Sequence, residues 1–550
     1  MSGKICVGLT LVFGALYFFA LGRAPLANPD EGRYAEIPQA MLVTHHWVTP
    51  RLDGIDYFEK PPLMFWVEAV AQKVFGRSER AVRAPVAVLA LLGVLMTYGV
   101  VARRFGQAEG VAAAVVLGSS SFYAAFSHIL SLDLAVAILI SATLFAFFLA
   151  VHEPPGPRRR RLFYAMYACA ALATLTKGLI GVLLTGAVML LWLAVCGQWK
   201  RLRPLHLPSG LLLFFALALP WHILIALHNP TWARFYFVHE QWLRFFTHVH
   251  HRAGPPYYFL PEVLPGFFPW LGCLFGALAA AGRPRARPDR WFFVLWAAFI
   301  FLFFSASQSK LPGYILPVFP PLAVLIGIWL AEVWRRPEPD GRRRTGVGVG
   351  CFVGLAWLLA AAVLVAVRHP VRFRLADWQA AALRPAATGL ALILAAGGAI
   401  AAVSWLRREL RFAFVIMALT GGLMVADLAL AMPYLIKPGT KPLALLTAKL
   451  ARPQDAVVCY RDYFPDFTFY ARRTAGLVDY VGELEPYNDP RGRARAQFID
   501  DITFRMLWNG PRRFFVVGSK KNLRDLLSEP GFHYKLLAET RDDYLISNRP

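Results

Sequence analysis

Apolar residues run along this chain in long blocks separated by short polar stretches, and the alternation persists from residue 5 to residue 432. The blocks approach the ~20 residues that an α-helix needs to cross the hydrocarbon core of a bilayer. They predict thirteen spans, at 5–22, 82–102, 108–127, 131–151, 162–176, 178–196, 209–227, 263–282, 291–306, 311–333, 345–367, 385–405 and 412–432. Hydropathy therefore defines a polytopic α-helical membrane protein of about 13 transmembrane helices. The first block lacks a persuasive small-residue cleavage site and is read as a retained span.

After residue 432 the period changes. Short apolar runs at 456–460, 514–519 and 544–548 alternate with helical patterns near 463–472 and at 521–529, which predicts a small α/β domain. The expected organisation is a transmembrane domain at 1–432 and a soluble domain at 433–550. Two long polar segments, 23–81 and 228–262, interrupt the first of these. Within 23–81, the residues Leu63, Phe65, Trp66, Val70 and Val74 suit a helix lying in the membrane interface. The second segment is rich in aromatics, some of which serve as an interfacial belt.

Composition agrees with the pattern, since the chain is 57% hydrophobic and only 17% charged. The net charge of +24 would suit a nucleic-acid partner, but its placement argues against one. Arg103-Arg104, Arg158 to Arg161, Lys200-Arg201-Arg203, Arg283 to Arg290, Arg335 to Arg344 and Arg407 to Arg411 all follow even-numbered spans. That is the positive-inside distribution together with attraction to anionic lipid, and it predicts a cytoplasmic N-terminus. The odd-numbered connections and the C-terminal domain then face the periplasm of a bacterial inner membrane. Five of the six cysteines lie in or beside apolar runs and only Cys459 lies in the soluble part, so no disulfide framework is implied.

The densest chemistry lies in residues 28–62, just after the first span. Asp30, Glu31, Arg33, Tyr34, Glu36, Asp56, Tyr57, Glu59 and Lys60 fall there among Pro29, Pro61 and Pro62. Asp30 after Pro29 reads as a helix N-cap, and a helix opening there would aim its N–H groups at an anion, with Arg33 and Lys60 adding charge. Capping accounts for Asp30 but not for the second cluster, Tyr57 to Lys60. Asp133 heads an apolar block with no cation beside it, either as a cap or facing a polar cavity. Lys177 and Lys310, taken singly, read as cations snorkelling to headgroups. Converging on one cleft, such cations would bind phosphate. His239-Glu240 and the His248, His250, His251 cluster match no closed metal site, and solvated or packed histidines account for them. Phosphate-loop, dinucleotide-binding and nucleophile-elbow motifs are missing, which argues against nucleotide hydrolysis and serine-hydrolase chemistry.

The first outer loop reads N-P-D-E-x-R-Y-x-E and then Y-x-E-K-P-P-L. With FYFVHEQWLRF, PPYYFLPEVLPGFFPW and SKLPGYILPVFPPLAVLIG, it resembles the GT-C membrane glycosyltransferases. More narrowly it resembles the lipid A aminoarabinose transferases, relatives of the protein O-mannosyltransferases. The resemblance covers essentially the whole chain, and its first-loop motifs are more specific to the superfamily than to the sugar. It implies an inverting transferase that moves a sugar from undecaprenyl phosphate to lipid A. Asp30 and Asp133 would be the essential carboxylates, and Arg33 and Lys60 would hold the donor phosphate. Glu31, Tyr34, Tyr57, Glu59, Lys177, His239, Glu240, Tyr257, Tyr258 and Lys310 would line the pocket. Some relatives bind a divalent metal, for which Glu59 with His239 is the nearest match. The alternatives are transfer of another sugar to protein or glycan, a lipid or drug transporter, and a membrane scaffold. Transporters often carry paired repeats with broken helices, a pattern not found here, and a scaffold leaves the charged clusters unexplained.

Overall fold

A computed structural model describes residues 2–243, 254–335, 339–373, 376–436, 439–480, 482, 484 and 497–549. It divides into two compact units, neither continuous in sequence. The first comprises Met1–Leu21, Arg83–Ile223 and Phe237–Met432; the second comprises Gly22–Val82, Leu224–Tyr236 and Pro433–Pro550.

Helix occupies all thirteen predicted runs, as expected of a multi-pass membrane protein. By length and composition, however, eight helices among the described residues can cross a membrane alone, or nine if one bent pair is a single span. The count of thirteen is therefore not reached on these criteria, for local reasons. Gly3–Phe18 and Ile180–Cys196 are short. The helix Pro157–Lys177 opens on four arginines. Ser120 separates Gln107–Ser119 from Ser121–Phe126, its hydroxyl donating back to the Val116 carbonyl at 2.6 Å. Leu260–Gly266 and Leu271–Ala279 meet at 99°, across a stretch with Pro265 and Pro269 that cannot continue a helical ladder.

In the first unit, connections that follow even-numbered runs are tied together by ion pairs. Asp289 accepts from His152 at 2.8 Å, pairs with Arg104 and lies 3.9 Å from Arg201. Arg103 pairs with Glu153, Arg290 with Glu332 and Arg335 with Glu109. The arginines that set the predicted orientation are thus neutralised in part by acids from neighbouring connections. The first unit's interior is dominated by rings, with Phe147, Phe148, Trp192, Phe292, Phe293 and Trp296 packed edge-on and tilted.

The second unit contains a six-stranded sheet. Its strands are β3 (Ala456–Tyr460), β4 (Gly476–Val478), β5 (Phe498–Ile499), β6 (Phe514–Ser519), β7 (Lys535–Glu539) and β8 (Asp543–Ser547), in the order β5-β4-β3-β6-β8-β7. The first four in that order are parallel, and β8 and β7 add antiparallel. Val458, Val478, Phe504, Trp508, Val516, Leu523 and Ile546 form its core. The three apolar runs and both helical patterns expected here are present. The short strands β4 and β5, the exposed β7 and the helix Asp501–Trp508 were not anticipated, because such brief elements carry little periodicity.

The first loop belongs to this same unit. Helices Asp30–Thr44 and Leu63–Phe75 flank a hairpin, β1 (Arg51–Leu52) with β2 (Ile55–Asp56). Its turn residues Asp53 and Gly54 both have positive φ, the Asp-Gly chemistry of a tight hairpin. The Asp53 carboxylate accepts from the Ala475 N–H at 2.8 Å, and the Gln497 amide donates to the Asp53 carbonyl. The helix Leu63–Phe75 departs from expectation in one respect. Val67, Val70, Val74 and Phe75 face outward, whereas Phe65 turns inward with Glu68 and Gln72. Phe65 is drawn in by Tyr34 and Tyr57, whose ring centroids lie 6.1 and 6.3 Å away.

Candidate functional site

The predicted site residues fall into two groups, one in each unit. In the second unit Asp30 begins its helix as the first helical residue, with Pro29 before it, so it is not the expected cap. The helix has no side-chain cap, and the Glu31 carboxylate instead accepts from the Ala27 N–H, in the turn ahead of it, at 2.9 Å. Asp30 is thereby left with an outward carboxylate, 56% exposed, 3.7 Å from the buried Arg33 guanidinium one turn on. Both acids sit in the first turn, where the helix dipole favours negative charge.

The second motif joins this helix through rings. Tyr34 and Tyr57 both contact Phe65, and the Tyr57 hydroxyl donates to Glu59 at 3.2 Å. Lys60 is buried, and its ammonium donates to the Glu59 carbonyl at 3.1 Å and approaches the Glu59 carboxylate at 3.5 Å. Asp30, Glu31, Arg33, Tyr34, Tyr57, Glu59 and Lys60 thus make one alternating acid, base and ring assembly. A buried Arg and a buried Lys suit a phosphate, which takes charge-assisted hydrogen bonds.

Buried on the same helix is Glu36, whose carboxylate accepts from the Asp53 N–H at 3.2 Å. Burial pushes its carboxyl up to about 8, and it also holds the Asp53 and Glu68 carboxyls well above the usual carboxylate range.

In the first unit Asp133 sits in the opening turn of Leu132–His152, capped by Ser131, whose hydroxyl accepts from the Asp133 N–H at 3.0 Å. The carboxylate receives the Ser131 hydroxyl at 3.1 Å and pairs with the Lys177 ammonium. Asp133 therefore has a cation after all, brought from 44 positions away. Lys177 does not snorkel; its ammonium also lies 4.2 Å from the centre of the Tyr314 ring. Gly313 leaves the room this requires, since a Cβ there would fall 2.6–2.8 Å from the Asp133 side chain. Lys310, likewise buried, donates to the Ser307 carbonyl, and its stem and the Tyr258 ring both flank Gly254. The SKLPGY connection thus gathers Asp133, Lys177, Lys310, Tyr258 and Tyr314.

Tyr257 is largely exposed. His239 lies 3.6 Å from the buried Glu240 within the π-helical stretch Phe235–Leu243. His248, His250 and His251 lie outside the described residues. Glu59, the acid matched to a metal, is engaged by Tyr57 and Lys60, and no three His, Cys, Asp or Glu side chains converge among the described residues.

Known proteins give this geometry a context. The profile of the dolichyl-phosphate-mannose-protein mannosyltransferases matches residues 59–224. Undecaprenyl phosphate-alpha-4-amino-4-deoxy-L-arabinose arabinosyl transferase 2 of Sodalis glossinidius is 34% identical over 362 residues, 65% of this chain and 66% of that protein. The transferase 2 of Proteus mirabilis is 30% identical over 373 residues, 67% of each chain. This chain belongs to that arabinosyl transferase family. The aligned stretch spans about two thirds of the length of these curated relatives. The crystal structure of ArnT from Cupriavidus metallidurans bound to undecaprenyl phosphate matches with a TM-score of 0.89 and 28% identity, covering 100% of this chain and 99% of that one.

For a member of the arabinosyl transferase family, three sets of residues escaped the sequence reading. Gly313 and Tyr314 sit inside a quoted motif, but only coordinates reveal what they touch. Glu79 pairs with Lys441 and accepts from the Tyr470 hydroxyl at 2.9 Å, tying the end of the first loop to the C-terminal segment. Asn28, Gly32 and Asp466 meet across 438 positions, a separation that carries no local signal.

Proposed function

We propose that this protein is an inverting glycosyltransferase moving 4-amino-4-deoxy-L-arabinose from undecaprenyl phosphate to a lipid A phosphate, the modification that lowers affinity for polymyxin and other cationic peptides. The observation that carries the reading is that two buried cations, Arg33 and Lys60, stand on motifs joined through the Tyr34, Phe65 and Tyr57 rings, with an outward Asp30 beside Arg33. The names of the relatives supply the sugar, and the likeness to ArnT bound to undecaprenyl phosphate supports the donor carrier.

In the reaction, the bond between the anomeric carbon and the donor phosphate oxygen breaks while a lipid A phosphate oxygen bonds to that carbon from the opposite face. Undecaprenyl phosphate leaves with the electron pair. Arg33 and Lys60 stabilise the charge that grows on it, and fixed donors aimed at developing charge give the largest catalytic effect in such sites. The acceptor phosphate is already anionic and needs no base. Asp30 therefore serves to orient the acceptor, to pair with the sugar amine or to steady positive charge at the anomeric carbon. A Ser or Thr acceptor would instead require Asp30 to take a proton. Asp133, held by Lys177, is the second carboxylate.

An apolar cavity of about 600 Å³ in the first unit suits a prenyl or acyl chain; Met166, Tyr167, Leu193, Phe214 and Phe215 line it. The enzyme acts as a monomer in the bacterial inner membrane. Its N-terminus lies on the cytoplasmic side, and its chemistry and C-terminal domain lie on the periplasmic side. Mass spectrometry of lipid A from cells with and without this chain tests the reading. A mass gain matching one pentosamine is expected. An unchanged lipid A, with mannose or another sugar appearing on protein, would replace this reading with the mannosyltransferase one.

A further inference from the structure

Asp30 and Arg33 stand on a short segment whose underside is unusually crowded. Asp466, fully buried in the helix Pro465–Ala471, meets that segment with both its side chain and its backbone. Its carboxylate accepts from the Asn28 side-chain amide, and its N–H donates to the Asn28 side-chain carbonyl at 3.1 Å. One residue thus grips both ends of one amide. The same carboxylate accepts from the Thr440 N–H and hydroxyl, each at 2.8 Å, so its position is itself fixed from a third segment.

The fit leaves no slack. A Cβ on Gly32 would fall 2.5 Å from the Asp466 nitrogen and 2.9 Å from the Asn28 carbonyl oxygen, and one on Gly439 would fall 2.6 Å from the Asp466 carboxylate. Asn28 and Gly32 bracket Asp30. Between them the Glu31 and Gly32 N–H groups donate to the Ala27 carbonyl, and the Arg33 N–H donates to the Pro29 carbonyl at 3.0 Å. A second anchor from the same C-terminal helix is the Tyr470 hydroxyl, which accepts from the Leu26 N–H at 2.9 Å.

We propose that Asp466 is a positioning residue for sugar transfer: acting through Asn28 and Gly32, it sets where the Asp30 carboxylate and the Arg33 guanidinium stand, so the C-terminal domain takes part in catalysis. This rests on the transferase reading above. A carboxylate that touches no reacting atom matters here because small displacements of catalytic groups are expensive, about 100-fold in rate for roughly 1 Å.

The test uses the full chain in nanodiscs, with undecaprenyl-phosphate-linked aminoarabinose and lipid A. Asp466→Asn turns an amide toward the Asn28 amide or toward Thr440. It is expected to lower kcat at least tenfold while KM for the donor stays within threefold and the unfolding temperature stays above assay temperature. Asn28→Asp combined with Asp466→Asn restores a donor facing an acceptor and should recover most of that loss. Thr440→Val removes a hydrogen bond from the same carboxylate but leaves Asn28 held, and should keep kcat within threefold. If Asp466→Asn keeps full kcat, or if Thr440→Val loses as much, Asp466 is a structural residue only and the proposal is overturned. Hydrogen exchange of the 27–33 amides gives a readout independent of transfer. These amides should exchange faster in Asp466→Asn while β3 and β6 stay protected, and unchanged exchange overturns the proposal. A wild-type chain that transfers no aminoarabinose refutes the transferase reading, and the exchange result still decides whether Asp466 sets the loop.

Discussion

Asp30 and Asp133 each stand in the first turn of a helix, one in each unit, and they are secured in different ways. Asp133 is caught from the front: Lys177 neutralises it, Ser131 caps beside it, and Gly313 presses against its side chain. Asp30 is open at the front, with Arg33 3.7 Å away, and the segment beneath it is braced by Asn28, Gly32 and Asp466. The first arrangement couples charge to folding, because removing either member strands the other in a confined place. The second separates the two, since the reactive carboxylate can change while the brace stays intact.

That contrast is broken most severely at the Asp133 pair. Asp133→Asn or Lys177→Met alone should destabilise by about 3 kcal/mol, the cost of leaving one charge of a largely buried pair uncompensated. The double variant should cost less than the sum, because the two act as a unit. Thermal unfolding of the four proteins measures this, and additive losses would mean the pair is not coupled.

Arg33→Ala and Lys60→Ala act on the other side of the comparison. Each should raise the barrier by about 2–4 kcal/mol, a loss of roughly 30- to 10³-fold in turnover, as removal of a fixed donor to developing charge does elsewhere. Their unfolding temperatures should move little by comparison with the Asp133 variants. Single-turnover transfer with the unfolding scan alongside separates the two behaviours.

Gly313→Ala tests how tightly the front of Asp133 is closed. The added methyl must displace the carboxylate, and overpacking of this kind costs about 1–3 kcal/mol. Turnover should fall together with stability, in contrast to Lys60→Ala.

The last test is one of pH and concerns Glu36, which shares the Asp30 helix. Folded Glu36 keeps its proton to about pH 8, whereas the ordinary value is 4.5. Its contribution to stability is therefore complete below 4.5 and drains away as pH rises toward 8, by up to about 1.4 kcal/mol per pH unit. Glu36→Gln should flatten the fall in stability between pH 5 and 8, measured by denaturant unfolding across that range. An unchanged slope would mean that Glu36 is ionised in the fold.

The contrast also explains what the sequence could and could not disclose. Span positions were legible because each is a long continuous apolar block, and the parallel strands β3 and β6 because each is a short one. Asp30, Arg33 and Lys60 stood out because they crowd one short loop beside an apolar block. The Lys177 partner of Asp133 was named, but as an unrelated snorkelling cation, since pairing across 44 positions has no period. Asp466 was invisible for the same reason, and a buried, fully hydrogen-bonded aspartate in a short helix resembles an ordinary cap from sequence alone. Fewer helices than runs pass the length test among the described residues because hydropathy registers apolar content and not the breaks at Ser120 and at Pro265 and Pro269.

Glu79 with Lys441, and Asn28 with Asp466, join the opening stretch of the polypeptide to its closing stretch. The stretch bearing Asp30 leaves the ribosome more than 400 residues ahead of its braces. A nascent chain stalled before Thr440 would hold every membrane helix and both charged motifs yet lack the keystone beneath them. Maturation of the Asp30 loop therefore waits for synthesis of residues 440–470, and truncation ahead of Thr440 should yield an inserted but inert product.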